Sequence, residues 1–174
     1  MIMRLTFIVL SILLAVSTVS FAMPSAGTVD VYFSPKGGAT EAIVHEIGNA
    51  KKEVLVQAHS FTSEPITKAI LEARKRGIGV VAVLDKNQRK ERHTDAIFLA
   101  KAGCFVLIDD SHAVHNKVII IDRSTLITGN FEFEKETEEK NAEDMLLIKG
   151  NMELTEKYFA NFDKHKRHSQ RYSR

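Results

Sequence analysis

From residue 29 onward the apolar positions fall into short continuous runs, separated by stretches in which they recur every three or four residues. That alternation of periods predicts strands alternating with amphipathic helices. Residues 29–33 read as a first strand and Ser34-Pro-Lys-Gly-Gly38 as turn chemistry. Ala42, Ile43, Ile47 and Ala50 follow at helical spacing, with Thr40 as the expected cap. Residues 54–56 form a buried strand, and a helix over 64–76 carries Ile66, Ala69, Ile70 and Ala73 on one face until Gly77 stops it. Residues 79–84 are apolar throughout, as in a strand covered on both sides, and a short helix over 94–102 leads into a strand at 104–108.

The second half is organised differently. Two strands, Val118–Ile121 and residues 126–128, flank Asp122-Arg-Ser-Thr125, a hairpin turn by composition. A glutamate-rich loop, a strand at 145–148 and a closing helix over 152–165 complete the pattern. The expected class is α/β, with a mixed, largely parallel sheet flanked by helices on both faces. Residues 23–165 fit one domain, and the basic tail at 166–174 lacks apolar periodicity and is expected to fray. In residues 1–22, Arg4 precedes a long apolar run, and Ser20-Phe-Ala22 supplies the small residues of a signal-peptidase site, with a second possible site after Ala26. Export to a periplasm or to the medium is therefore expected; the alternative is an uncleaved membrane anchor over residues 5–23. The single cysteine, Cys104, excludes an intrachain disulfide and sits in an apolar run as a small hydrophobe.

A net charge of +2 does not by itself argue for nucleic acid, although Lys86, Arg89, Lys90 and Arg92 crowd one loop and a second basic cluster closes the chain. The chemistry concentrates at Val114-His-Asn-Lys-Val-Ile-Ile-Ile-Asp122. On a strand His115 and Lys117 share a face, so a nucleophile or proton carrier sits beside a fixed cation, which suits an anionic, phosphate-like substrate. Asp122 has the opposite parity and, at about 3.3 Å per residue, would lie roughly 23 Å from His115. It is assigned to the strand end, and Glu143, at the mouth of the following strand, becomes the candidate partner for the histidine.

Other polar clusters carry less. Asp109, Asp110, His112 and His115 can be read as a metal-binding loop but lack the ligand spacing of a known site. His45-Glu46 is not a zinc-protease motif, because Asn49 stands where the second histidine is needed. His59 either lines the cleft or packs in the core.

His115, Lys117, Asp122, Gly129 and Asn141-Ala-Glu143 resemble the phospholipase D superfamily, in particular its small exported bacterial endonucleases with one motif per chain. Tyr32-Phe-Ser-Pro35, Ala50-Lys51, Ser60-Phe-Thr62, Arg76-Gly77 and Val83-Leu-Asp85 extend the likeness over the mature chain. The resemblance implies a phosphodiesterase acting on DNA, or also on RNA, in which two copies of the motif meet across a homodimer. One histidine would form a phosphohistidine and the other would protonate the leaving oxygen; paired lysines would carry the phosphate charge without a metal or other cofactor. The chain departs from the family where a serine and an asparagine normally follow the glycine: here stand Asn130 and Glu132. Glu132 would repel a phosphodiester unless it pairs with a lysine or turns outward. Two rival readings are a lipid hydrolase of the same superfamily and a nucleic-acid-binding module that has lost turnover; membrane contact enters only with an uncleaved leader.

Overall fold

A computed structural model, which describes residues 27–92 and 94–173, lays the apolar runs side by side in one eight-stranded sheet. The expected leader and its cleavage sites lie outside the described residues. In chain order the elements are β1 (Thr28–Phe33), α1 (Ala39–Asn49), β2 (Glu53–Ala58), α2 (Glu64–Lys75), β3 (Gly79–Asp85), a 3-10 turn (Lys86–Arg89), α3 (Ala96–Lys101) and β4 (Phe105–Asp109). There follow β5 (Val118–Ile121), β6 (Thr125–Gly129), α4 (Thr137–Lys140), β7 (Asp144–Lys149), α5 (Met152–His168) and β8 (Gln170–Arg171). The strand order is β1-β7-β6-β5-β2-β3-β4-β8. Among the described residues no helix is long and apolar enough to cross a membrane.

The sheet is mixed and carries helices on both faces, as the patterning predicts. Side-chain alternation along β2 shows how: Val54 and Val56 face α1–α3 through Ile43, Ile47, Ile66, Ile70 and Leu99, whereas Leu55 faces α5 through Leu154, Tyr158 and Phe162. The weight given to parallel pairing needs correction. Only β2–β3 and β3–β4 are parallel. These are the strands joined by crossover helices; the short turn after β5 makes β6 its antiparallel neighbour, β7 returns antiparallel to β6, and β1 pairs antiparallel with β7 at the far edge.

Two local expectations also change. Thr40 does not cap α1: the cap position is Gly38, in a left-handed conformation that a side chain would strain. The cap is supplied from a distance by Glu138 on α4, whose carboxylate accepts the N–H groups of Gly38 (2.9 Å) and Thr40 (2.8 Å). Nor does the C-terminal segment fray. Helix α5 runs on to His168, β8 pairs with β4, and Tyr172 is buried with its N–H on the Val106 carbonyl at 2.9 Å.

Asp122 and Arg123 both take left-handed backbone angles in the β5–β6 turn, the twist a tight hairpin favours. The Asp122 carboxylate accepts N–H groups from Lys51 (2.8 Å), Lys52 (2.7 Å) and Glu53 (3.0 Å), so it ties this hairpin to the start of β2. Burial pushes its pKa up, but those amides, helped by the Lys52 ammonium, outweigh burial and hold it below the ordinary aspartate value. A depressed carboxylate stabilises the fold above its unfolded pKa and loses that contribution as pH falls through the folded one. Asp122→Asn, which tolerates the same backbone, is therefore expected to cost about 2 kcal/mol at neutral pH. By thermal melts, the gap from wild type should narrow as pH falls from about 5 into the ordinary aspartate range and below it; a gap that stays constant would show that the charge contributes nothing.

Candidate active site

The strand register brings the C-terminal ends of β1, β2, β3, β4 and β6 and the N-terminal ends of β5 and β7 to one edge of the sheet. Ligands of open α/β sheets bind at such an edge. His59 follows β2, Asp85 closes β3, His115 and Lys117 precede β5, Glu132 follows β6 and Glu143 precedes β7.

His115 and Lys117 do not lie in the strand itself, which begins at Val118. The reason is the neighbour: β2 pairs with β5 only as far as Gln57–Val118 and ends at Ala58, leaving residues 114–117 no ladder to join. Side chains hold the segment instead. The buried Val114 donates its N–H to Asp85 Oδ2 at 2.8 Å, and its carbonyl accepts from His59 Nδ1 at 3.1 Å. A carbonyl cannot donate, so His59 carries a proton on Nδ1. On the other flank, buried Gln57 donates to Asn116 Oδ1 at 3.2 Å. With both neighbours anchored, the exposed His115 ring stacks on His59, centroids 4.3 Å apart and planes 12° off parallel. Among the described residues nothing hydrogen-bonds to the His115 ring.

Lys117 meets Glu132. Their Nζ and Oε1 atoms are 2.9 Å apart, with side chains only 11% and 18% exposed. Of the outcomes open to Glu132, pairing with a lysine is the one the fold takes, and the lysine is the one expected to hold phosphate. The other carboxylate oxygen, Oε2, is buried without a hydrogen-bond partner. Gly129 permits this geometry: its φ of 146° is left-handed, and a Cβ there would stand 2.4 Å from the Asp144 carbonyl, which receives the N–H groups of Asn130 and Phe131.

Glu143 does not reach His115. Its Oε2 accepts the Glu132 N–H at 2.8 Å and its Oε1 accepts from Asn141 at 3.1 Å, while its backbone N–H donates to the Ser34 hydroxyl at 3.1 Å. The separation follows from strand order: β6 lies between β7 and β5, so the two chain segments stand about 10 Å apart. Glu143 thus braces the loop that presents Glu132. Asp122 sits at the opposite end of β5, in the architectural role described above.

Lys86, Lys90 and Arg92 are exposed beside the site, but Arg89 is committed to Asp110 through two contacts of 3.3 and 2.8 Å. The hydrogen bond from Arg89 holds the Asp110 carboxyl below its usual range. The residues considered as a metal loop therefore disperse: Asp110 goes to Arg89, His115 to His59, and Asp109 and His112 turn toward the C-terminal helix. Cys104 is buried, which pushes its thiol pKa up. Sequence reasoning did not identify Asp85 as the clamp on Val114, although a carboxylate ending an apolar strand must find donors. The pairing of Ser34 with Glu143 had no local signal.

With this geometry in hand, comparisons place the chain among known proteins. The family described as cardiolipin synthase, PLD-like domain matches residues 43–166. Phospholipase D of Rickettsia prowazekii is 35% identical over 139 residues, covering 79% of this chain and 67% of the relative. Among solved structures, Nuc from Salmonella typhimurium, a phospholipase D family member, superposes with a TM-score of 0.80 at 32% identity, covering 84% of this chain and 99% of that one. NucT from Helicobacter pylori gives 0.76 at 20% identity, over 83% of this chain and 99% of that chain, a likeness of fold.

Because Glu132 occupies Lys117, a phosphate must compete for the ammonium. Glu132→Asn is expected to lower KM for a minimal phosphodiester such as bis(4-nitrophenyl) phosphate by about tenfold, as one freed charge contact allows. It should also lower stability by about 2 kcal/mol, because Lys117 loses its partner in a largely buried place. Unchanged KM and unchanged melting would place the two side chains apart in solution.

Proposed function

This chain belongs to the phospholipase D superfamily and is a hydrolase acting on phosphodiester bonds, and from that premise we propose a metal-independent endonuclease that cleaves DNA through a covalent phosphohistidine at a site shared by two subunits. The observation that carries the reading is the state of His115: anchored through both chain neighbours, by the Val114 N–H and the Asn116 side chain, exposed at the sheet edge, and without a carboxylate partner among the described residues. A second copy related by a twofold axis would supply what one chain lacks. In the first step His115 attacks phosphorus, and the bond to the leaving oxygen breaks as the partner subunit's His115 gives that oxygen a proton. In the second, the same partner histidine takes a proton from water, whose oxygen displaces His115 from phosphorus. Lys117 from each subunit carries the charge of the non-bridging oxygens, once Glu132 has yielded it. The exposed Lys86, Lys90 and Arg92 beside the site would follow a nucleic-acid backbone, giving affinity that falls as salt rises. Export, through a leader over residues 1–22, is part of this proposal.

A lipid substrate is the second reading. The name of the Rickettsia relatives favours it, as does a row of exposed apolar side chains on edge strand β1: Val29, Val31 and Phe33 are 59%, 52% and 63% exposed. The row ends beside Ser34 and Glu143, so it fits either the rim of a lipid site or the seam between two subunits.

One experiment separates these. Purified mature protein is expected to nick plasmid DNA in excess EDTA, to leave phosphatidylcholine vesicles intact, and to sediment as a dimer. His115→Asn should abolish cleavage, with a loss of at least about a thousandfold. Vesicle hydrolysis without nicking would transfer the assignment to lipid, and activity that requires magnesium would end the phosphohistidine mechanism.

A further inference from the structure

Away from His115 and Lys117, four residues converge where the end of α5 meets the end of β4, and the nuclease reading uses none of them. Asp109 closes β4 with its side chain fully buried. Its Oδ1 accepts the N–H groups of Ser111 (2.9 Å) and His112 (3.2 Å), which fixes the carboxylate and turns Oδ2 toward the last turn of α5. There His165 Nδ1 stands 2.6 Å and His168 Nε2 3.0 Å from Oδ2, and His112 Nδ1 is 3.8 Å from the same oxygen. The three imidazole rings lie 5.1 to 5.6 Å from one another, centroid to centroid. One donor atom from each of the four residues falls within 4.8 Å of all the others.

We propose that Asp109, His112, His165 and His168 bind one zinc ion. Four donors at zinc bond lengths of about 2.0–2.2 Å in a tetrahedron stand about 3.4 Å apart. The present spacings bracket that value, and the exposed His112 ring has the freedom to close the remainder. Three imidazoles and one carboxylate select zinc or a similar transition ion over calcium or magnesium, which prefer oxygen donors. Hydrogen bonding alone accounts for less: His165 and His168 already occupy Oδ2, and His112 is out of hydrogen-bond reach of it, so a central cation is what would give all three rings a common role. The two backbone N–H groups on Oδ1 are the outer support that a metal-binding carboxylate needs. On binding, each imidazole presents a bare nitrogen to the ion. The protons now shared with Oδ2 move to the distal ring nitrogens or leave to solvent. The ion would fasten the C-terminal end of α5 to β4, and through residues 110–113 it would restrain the approach to Val114, whose N–H is fixed by Asp85.

Calorimetric titration of tag-free protein with zinc chloride is expected to show one ion per chain with a dissociation constant below about 1 µM. Cobalt should give the visible absorption of a tetrahedral site, and saturating zinc should raise Tm on the order of 5 °C. His112→Ala, a change at an exposed side chain, should weaken binding at least about tenfold, and His165→Ala with His168→Ala should abolish it. Absence of saturable one-to-one binding to the wild-type chain overturns the proposal, as does affinity unchanged in both variants. Since neither His115 nor Lys117 is a ligand, EDTA should lower Tm while leaving phosphodiester hydrolysis intact below it, so this test and that of the nuclease reading fail independently.

Discussion

A carboxylate buried at the end of a strand is the constraint from which the site hangs. Asp85 is fully buried, and an ionised carboxylate is tolerated there only if its oxygens are met by donors. It finds them in the N–H groups of Asn87 and Val114, with His59 at 3.9 Å. These contacts fasten the segment ahead of β5, which no ladder holds, to the ends of β2 and β3, which are paired with each other as far as Ala58 and Leu84. The position of His115 is thus dictated by the desolvation of a residue that need not touch substrate. Precision at an exposed histidine is obtained from a buried carboxylate, which is the division of labour a preorganised site requires.

The same edge of the sheet contains an opposition of charges. Lys117, to which the proposed reaction gives the phosphate charge, has a glutamate held against it, and Glu143 braces that glutamate through its backbone N–H. In water such a pair contributes little, but at about one-tenth exposure the partner satisfies a cation that would otherwise be stranded. Under the proposed reaction, stability and turnover make contrary demands on one side chain.

Much of the fold was legible in the period of the apolar positions. The strand at Val118–Ile121 has the bounds expected, and α2 and β3 differ by a residue at one end. What eluded the sequence was non-local. Thr40 had the right chemistry for a cap, yet Glu138 performs that work from α4. The C-terminal segment has no apolar period because its anchors are polar: His165 and His168 on Asp109, and a two-residue strand on β4. At the site, the pairing of His115 with Lys117 follows from spacing alone, whereas Glu143 was assigned to the histidine because strand order, which interposes β6, is invisible in one sequence. His59 was undecidable for the same reason, since a histidine after a buried strand faces a cleft or a core according to what packs beside it.

The long reach of Glu138 has a consequence for how the chain acquires its structure. The N–H groups of Gly38 and Thr40 at the start of α1 find their acceptor 100 and 98 residues later, and among the described residues β1 finds its only strand partner in β7. Residues 28–49 are therefore completed by residues 138–149, and no fragment that stops short of them can close this edge. Such long-range pairing delays the commitment of the chain. The delay leaves this edge open until most of the chain has been made.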